Sequence, residues 1–387
     1  MRSLVIAGGG FAGVSALRTA YRLGLTHKME VTLIDRDGVF EYLPSLPYLI
    51  SSLRTPEEVT RPLERFASRL GAKLIKDEIV GIEPTSNEIR LRINGVLGYD
   101  YLVIGLGADV DYSNVRGYQY VYAAYRLRDY LSILKKLEEV EEEGGSIVVV
   151  GGGLVGVEVA GELKRRNSSI DVILIEEAET LLPYSGSIRI SDEIKTLLEK
   201  SGVKVVTRSR CVEVTRSGVV LESGDSLEAS IVVWAAGVRG QRPELTEELP
   251  TYGRGWILVD KTLRVERYDN VFAPGDVNWL QINGDTPMKS VEEAMLQAET
   301  AVENVARSLE GRPLKPYSPL FLSSNPKILG TVGGQGFIVW GNSIRVSNLA
   351  VHIKNSLEKT VLSLLDGQSE RLFSLKKVFL KSFFRVF

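Results

Sequence analysis

Cysteine is almost absent from this chain: Cys211 is the only one in 387 residues. A lone thiol forms no intramolecular disulfide, so a structural bridge, a redox-active cysteine pair and a cysteine-rich metal site are excluded. Histidine is nearly as scarce. His27 and His352 are too far apart in sequence to suggest a metal centre. No apolar run approaches the roughly 18 residues needed to span a bilayer. Residues 1–3 lead straight into an apolar stretch, with no room for a signal peptide. Neither sign of charge dominates; the net charge is −2, which gives no global reason to expect nucleic acid. The body of the chain therefore reads as cytoplasmic and soluble. The composition that remains is ordinary, 44% hydrophobic and 25% charged, with enough apolar material for about two or three domains.

Glycine, by contrast, falls in a pattern that carries chemistry. Residues 147–150 are an apolar run of strand length, followed by Gly151, Gly153 and Gly156 as G-x-G-x-x-G. Val157, Val159, Ala160 and Leu163 then continue at helical spacing. A strand, a tight glycine turn and a helix N-terminus seat a dinucleotide pyrophosphate. The glycines let backbone N–H groups approach the phosphates, and the helix dipole favours their charge. The next strand, 171–175, ends in Glu176, the acid expected on a ribose 2′-hydroxyl. The same unit opens the chain: an apolar strand over 4–7, then Gly8, Gly10 and Gly13, then a helix through Ala16, Leu17 and Ala20, then a strand over 31–34 that ends in Asp35. Glu158 falls in the first turn of the second helix. It is either an acid complementing the helix dipole or a group that contacts a nicotinamide.

Both units continue alike. After the first come residues 39–50, aromatic and proline-rich, which either cover the first domain or wall a flavin ring. Helical spacing follows over 55–69, strand alternation over 73–83 and 89–93, and an apolar strand that runs into Gly107 and Ala108. After the second come a helix over 191–200, strands over 204–207 and 212–215, and an apolar run over 231–234 that ends in Gly237. Cys211 enters this strand region as a buried thiol. Two repeats imply two dinucleotide sites. The expected fold is α/β, with two Rossmann-like dinucleotide-binding domains, the second inserted in the first, an arrangement that resembles the glutathione-reductase-like fold. The first would span 1–112 and 255–320, the second 113–254, with a C-terminal region over 321–387. Helices are expected over 127–143, 291–309 and 351–365, and a small antiparallel set over 328–346. A strand that ends in Gly275-Asp276 returns the chain to the first domain, where Asp276 can bond the ribityl chain of a flavin.

Residues 371–387 differ in character. Leu372, Leu375, Phe379, Phe383 and Val386 share one face at helical spacing, and Lys377, Lys381 and Arg385 lie opposite. No acid follows Glu370. Such a helix lies in the headgroup region of an anionic bilayer. The alternative is a terminal helix docked on the body or on a second copy in a homodimer.

The sequences at 150–163, 232–240 and 270–276, in this order, resemble the type II NADH dehydrogenase family of two-domain flavoproteins. The resemblance covers roughly residues 1–310. It implies FAD in the first site, NADH in the second, electron transfer to a quinone, and peripheral attachment to the cytoplasmic face of the cell membrane by C-terminal helices. It assigns Gly8, Gly10, Phe11, Ala12, Gly13, Asp35, Arg36, Gly107, Ala108, Gly275 and Asp276 to FAD. It assigns Gly151, Gly153, Gly156, Glu176 and Gly237 to NADH. Glu158 matches the family's acid beside the nicotinamide–flavin stack, and Lys289 a basic position near the flavin in the related sulfide:quinone oxidoreductases. The alternative for Lys289 is a surface ion pair with Glu292 or Glu293. The family's paired glutamines on the helix after the Gly-Asp strand correspond to Glu292 and Leu296, with Gln297 one place late. That helix reads partly like the sulfide enzymes, through Lys289, Met295, Ala301 and Asn304. Those enzymes need redox cysteines that this chain does not carry. The rival readings are a soluble NADH oxidoreductase with another acceptor, a sulfide:quinone oxidoreductase-like protein, and a non-catalytic redox sensor.

Overall fold

The computed structural model describes residues 1–368, so the amphipathic stretch 371–387 lies outside the described residues. Two five-stranded parallel sheets organise the chain, and they are built alike. In the first, Ser3–Ala7 runs between Glu30–Asp35 and Tyr101–Ile104, flanked by Lys73–Lys76 and Val271–Phe272. In the second, Ser146–Val150 runs between Asp171–Ile175 and Ile231–Trp234, flanked by Val203–Val206 and Tyr122–Ala123. The central strands are apolar because helices and loops cover both sheet faces. Register repeats as well. Ala7 faces Ile34 and Val150 faces Ile175, which puts Asp35 and Glu176 one residue further, beside each glycine turn.

Each repeat adds a three-stranded antiparallel sheet. The first contains Ile79–Glu83, Glu88–Leu91 and Gly95–Gly98; the second contains Cys211–Thr215, Gly218–Leu221 and Ser226–Glu228. In both, register shifts in the opening strand, between Ile79 and Gly81 and between Cys211 and Glu213. Val271–Phe272 closes the first sheet only after the whole second unit has been laid down. Asp109–Val110 pairs with Val238–Arg239 where the chain crosses.

The helix Phe11–Arg22 buries its first ten residues and packs on the helix Val291–Leu309. Ser15 fixes that contact by donating to the Met295 carbonyl at 2.9 Å. The helix Leu154–Arg166 packs on Lys327–Val332, the first strand of an antiparallel set with Gln335–Trp340 and Ser343–Val346. The helix Leu349–Leu365 covers the same set.

The expected helices over 127–143 and 291–309 form over those residues. The one expected over 55–69 does not form as a unit. It is two short helices, Pro56–Val59 and Leu63–Arg69, split by the strand Thr60–Pro62, which pairs with Val39–Glu41. Pro62 has no N–H to continue a helix, and a pairing partner outside the segment takes over. The strand expected over 73–83 also breaks in two. At the break, Asp77 accepts from the backbone N–H of Glu78, Ile93 and Asn94, so the second half joins another sheet. Among the described residues, no helix is long and apolar enough to cross a membrane.

Candidate active site

The first glycine turn opens on a cleft of about 570 Å³. Gly8, Gly10, Phe11 and Ala12 line it. Gly13 sits behind them and lets the helix start close to the turn: a Cβ there would lie 1.7 Å from the Gly8 carbonyl oxygen. Gly10 caps the helix with no side-chain bond and with open space where its Cβ would stand. An uncapped helix N-terminus facing a cleft is the arrangement that binds phosphate. Asp35 ties the turn together. Its Oδ2 accepts from Gly9 N at 2.9 Å, and its Oδ1 from the N–H groups of Asp37 and Gly38.

Arg36, Gly107, Ala108 and Asp276 line the same cleft. Tyr125 donates to the Ala108 carbonyl at 2.9 Å, and Gln241 Nε2 donates to that of Gly107 at 2.9 Å. Burial raises the pKa of Asp276, against the pull of Lys289 and Arg126. Lys289 donates to the carbonyls of Asp276 at 2.9 Å and Asn278 at 2.7 Å, with its ammonium 4.3 Å from the Trp256 ring centroid. Its partners are therefore backbone and ring, and not the neighbouring Glu292 and Glu293. Desolvation pushes Lys289 down to about 8, with Asp276 opposing. Gln297 has a structural place: its Oε1 accepts from Gly275 N at 2.8 Å and Asn278 Nδ2 at 2.7 Å. Glu292, on the preceding turn of that helix, is half-buried, and burial raises its pKa.

The second glycine turn copies the first. A Cβ on Gly156 would lie 1.8 Å from the Gly151 carbonyl oxygen, and Gly153 caps the helix with open space beside it. Glu176 accepts from Gly152 N at 2.5 Å and from Ala178 N at 2.8 Å. Gly237 has a φ of +109° and also meets open space. Each acid keeps lone pairs beyond those used by the turn, enough to accept from a ribose.

Glu158 lies away from solvent, in a buried cluster assembled from distant segments. Its Oε1 accepts from Thr331 N at 3.0 Å and Thr331 Oγ1 at 3.3 Å, and it forms an ion pair with Lys354. Burial alone would lower the Lys354 pKa, but Glu158 and Tyr48 together outweigh it and the pKa is raised. The Tyr48 hydroxyl stands 3.3 Å from Thr331 Oγ1. Residues 39–50 connect this cluster to the cleft. Val39, Glu41 and Leu43 line the cleft, Phe11 meets Phe40 and Tyr42 edge-on, and Tyr48 ends at the Glu158 pair. The segment thus packs on both sites at once.

Sequence reasoning did not single out Tyr125, Arg126, Gln241 or Lys354. The first three come from stretches without a motif. Lys354 did carry a signal: with Glu358 it interrupts the apolar stripe of Ala350, Val361 and Leu365 at i, i+4 spacing. Two charges on a buried stripe need partners, and Glu158 is one of them.

A family model described as pyridine nucleotide-disulphide oxidoreductase matches residues 2–303. The chain belongs to that family. This pyridine nucleotide-disulphide oxidoreductase is 24% identical over 395 residues to a type II NADH:quinone oxidoreductase of Staphylococcus saprophyticus, covering 95% of this chain and 96% of that protein. It is 27% identical over 377 residues to the demethylphylloquinone reductase NdbB of Synechocystis, covering 92% and 90%. Its fold is similar to that of a sulfide:quinone oxidoreductase from Aquifex aeolicus, with a TM-score of 0.82 at 18% identity over 98% and 96% of the chains. It is also similar to NDH2 from Plasmodium falciparum in complex with NADH, with a TM-score of 0.81 at 18% identity over 93% and 94%. Within the family, this oxidoreductase has no disulfide to use. Cys211 is the single cysteine, and burial pushes its thiol up to about 11.

Proposed function

We propose that this oxidoreductase passes electrons from NADH to a quinone, with FAD at the first glycine turn and NADH at the second. The observation that carries the reading is the duplicated cradle. Two uncapped helices start behind close-packed glycines, and one carboxylate, Asp35 or Glu176, ties each turn. The names of the Staphylococcus and Synechocystis relatives support a quinone as acceptor, and the lone Cys211 weighs against sulfide chemistry. Gly8, Gly10, Phe11, Ala12, Gly13, Asp35 and Arg36 would hold the FAD pyrophosphate and adenosine, and Gly107, Ala108, Gly275 and Asp276 the rest. Gly151, Gly153, Gly156, Glu176 and Gly237 would hold NADH. FAD would supply a ring that accepts a hydride and hands two electrons on. Lys289 places a positive charge at the Asp276 end of the cleft, where it stabilises negative charge. Glu158 and Lys354 form a buried pair that holds and passes a proton at the end of the segment running from the cleft.

The division into an FAD domain (1–112 and 255–320), an NADH domain (113–254) and a C-terminal region from 321 belongs to this reading. So does peripheral attachment to the cytoplasmic membrane face through residues 371–387, which rests on their sequence pattern. The test of function is direct. The purified yellow protein is mixed with NADH without oxygen, then with a short-chain quinone. Bleaching followed by fast recovery is expected; no bleaching removes the NADH assignment. Cosedimentation with anionic vesicles, lost on truncation at residue 370, is expected for the tail.

The second turn also predicts cofactor choice. Glu176 is buried against the turn, and a 2′-phosphate beside it would meet like charge. The fold brings Arg208 and Arg210 to this edge, but Arg208 pairs with Glu179, and Arg210 with Glu177 and Glu222. We expect kcat/KM for NADH to exceed that for NADPH by about a hundredfold, on the order of 3 kcal/mol. Equal values would remove the specificity argument.

A further inference from the structure

Reduction of a quinone needs two electrons and two protons. NADH brings two electrons and one proton as hydride, so the second proton must come from water. The balance is NADH + H⁺ + quinone → NAD⁺ + quinol. Glu158 and Lys354 are both buried, so a proton reaches them through other groups. One turn further along the same helix stands Glu162, which is fully buried. Its Oε2 accepts from the Ser51 hydroxyl, and its Oε1 has no partner. A carboxylate with an unsatisfied buried oxygen costs more than a carboxylic acid in the same place. Burial raises the Glu162 pKa. Ser51 and Arg165 favour the charged form, Glu158 opposes it, and Lys354 favours it.

Position makes this acid useful. Residues i and i+4 share a helix face, so Glu162 and Glu158 are neighbours. Ser51 is half-buried, and the next residues, Ser52 and Leu53, are exposed. The order from water inward is therefore Ser51, Glu162, Glu158 and Lys354.

We propose that Glu162 is the proton inlet of this enzyme, an acid that takes a proton from water through Ser51 and gives it to the Glu158–Lys354 pair. The proposal rests on the role assigned above to that pair. In each turnover the Glu162 O–H bond breaks and, by way of a water between the two side chains, an O–H bond forms on Glu158. The Ser51 hydroxyl proton then moves to Glu162 Oε2, and a proton from water restores Ser51. No electrons move in these steps. Glu162 acts through Glu158 and touches neither cofactor nor quinone.

The test follows Glu162→Gln and Ser51→Ala beside Glu158→Gln. Anaerobic bleaching by NADH should stay within about twofold in the first two variants. Reoxidation by a short-chain quinone should slow about tenfold or more in Glu162→Gln, with a larger solvent deuterium isotope effect because proton delivery then limits the step, and by a smaller factor in Ser51→Ala. A second readout needs no turnover. A carboxyl whose pKa is raised on folding stabilises the fold most below its ordinary value of 4.5, and that stability is lost as pH rises toward the raised value. In that window the wild-type unfolding constant should change by up to about tenfold per pH unit more than that of Glu162→Gln. On lowering the pH through the raised Glu162 value, the infrared band of a protonated carboxyl should appear in the wild type and be missing from Glu162→Gln. Normal reoxidation with an intact isotope effect in Glu162→Gln overturns the inlet, as does an unchanged infrared band. If Glu158→Gln is slow and Glu162→Gln is not, only the inlet falls. If Glu158→Gln also reoxidises normally, the role of the pair falls with it.

Discussion

Lys354→Met should destabilise the folded protein by about 3–5 kcal/mol, because it leaves the Glu158 carboxylate charged and without its counter-ion inside the fold. Both side chains are nearly shielded from water, with 9% and 4% of their surfaces exposed. The remaining donors to Glu158 are the Thr331 N–H and hydroxyl, which do not neutralise it. The double variant Glu158→Gln/Lys354→Met removes both charges and should recover most of the lost stability, since a buried ion pair is worth little over neutral groups of similar shape. Urea midpoints of the single and double variants measure this. A single variant as stable as wild type would show that the pair is not buried in the folded chain. The same variants separate stability from chemistry. If the double variant folds well but is reoxidised slowly by quinone, the pair is kept for proton handling and not for the fold.

The second large effect concerns the turns. Gly13→Ala places a methyl 1.7 Å from the Gly8 carbonyl oxygen, and Gly156→Ala places one 1.8 Å from that of Gly151. Backbone is the obstacle in both, so no rotamer relieves the clash, and the helix start must move away from the turn. Because the two turns are alike, the variants should fail in different and diagnostic ways. Gly13→Ala should purify pale, with FAD binding weakened by about a hundredfold or more, on the order of 3 kcal/mol. Gly156→Ala should stay yellow, yet require about a hundredfold more NADH for bleaching. Absorbance per polypeptide and an NADH titration read the two results. If Gly156→Ala loses flavin and Gly13→Ala does not, the assignment of cofactors to turns is reversed.

Much of this molecule is written in local order along the chain. The glycine turns with the acids Asp35 and Glu176, the long helices over 127–143 and 291–309, and the scarcity of cysteine all follow from spacing within a few dozen residues. Backbone geometry acts at that range: a period, a turn or a missing Cβ has its consequence next door. The duplicated architecture follows from the same words appearing twice.

Other features were decided only when distant segments met. Lys354 reaches Glu158 across 196 residues of sequence, and Ser51 reaches Glu162 across 111. Lys289 carries acids beside it in sequence, yet its partners are two backbone carbonyls, from the Asp276 turn and from Asn278, and the Trp256 ring. Gln297 is fixed by the Gly275 turn and not by its offset from a helical motif. The segment 55–69 has helical spacing but splits because Val39–Glu41 offers it a strand partner. A side chain's partners, and with them its charge state, depend on what the fold packs against it, and the cost of burying a charge alone is large enough to make that packing decisive.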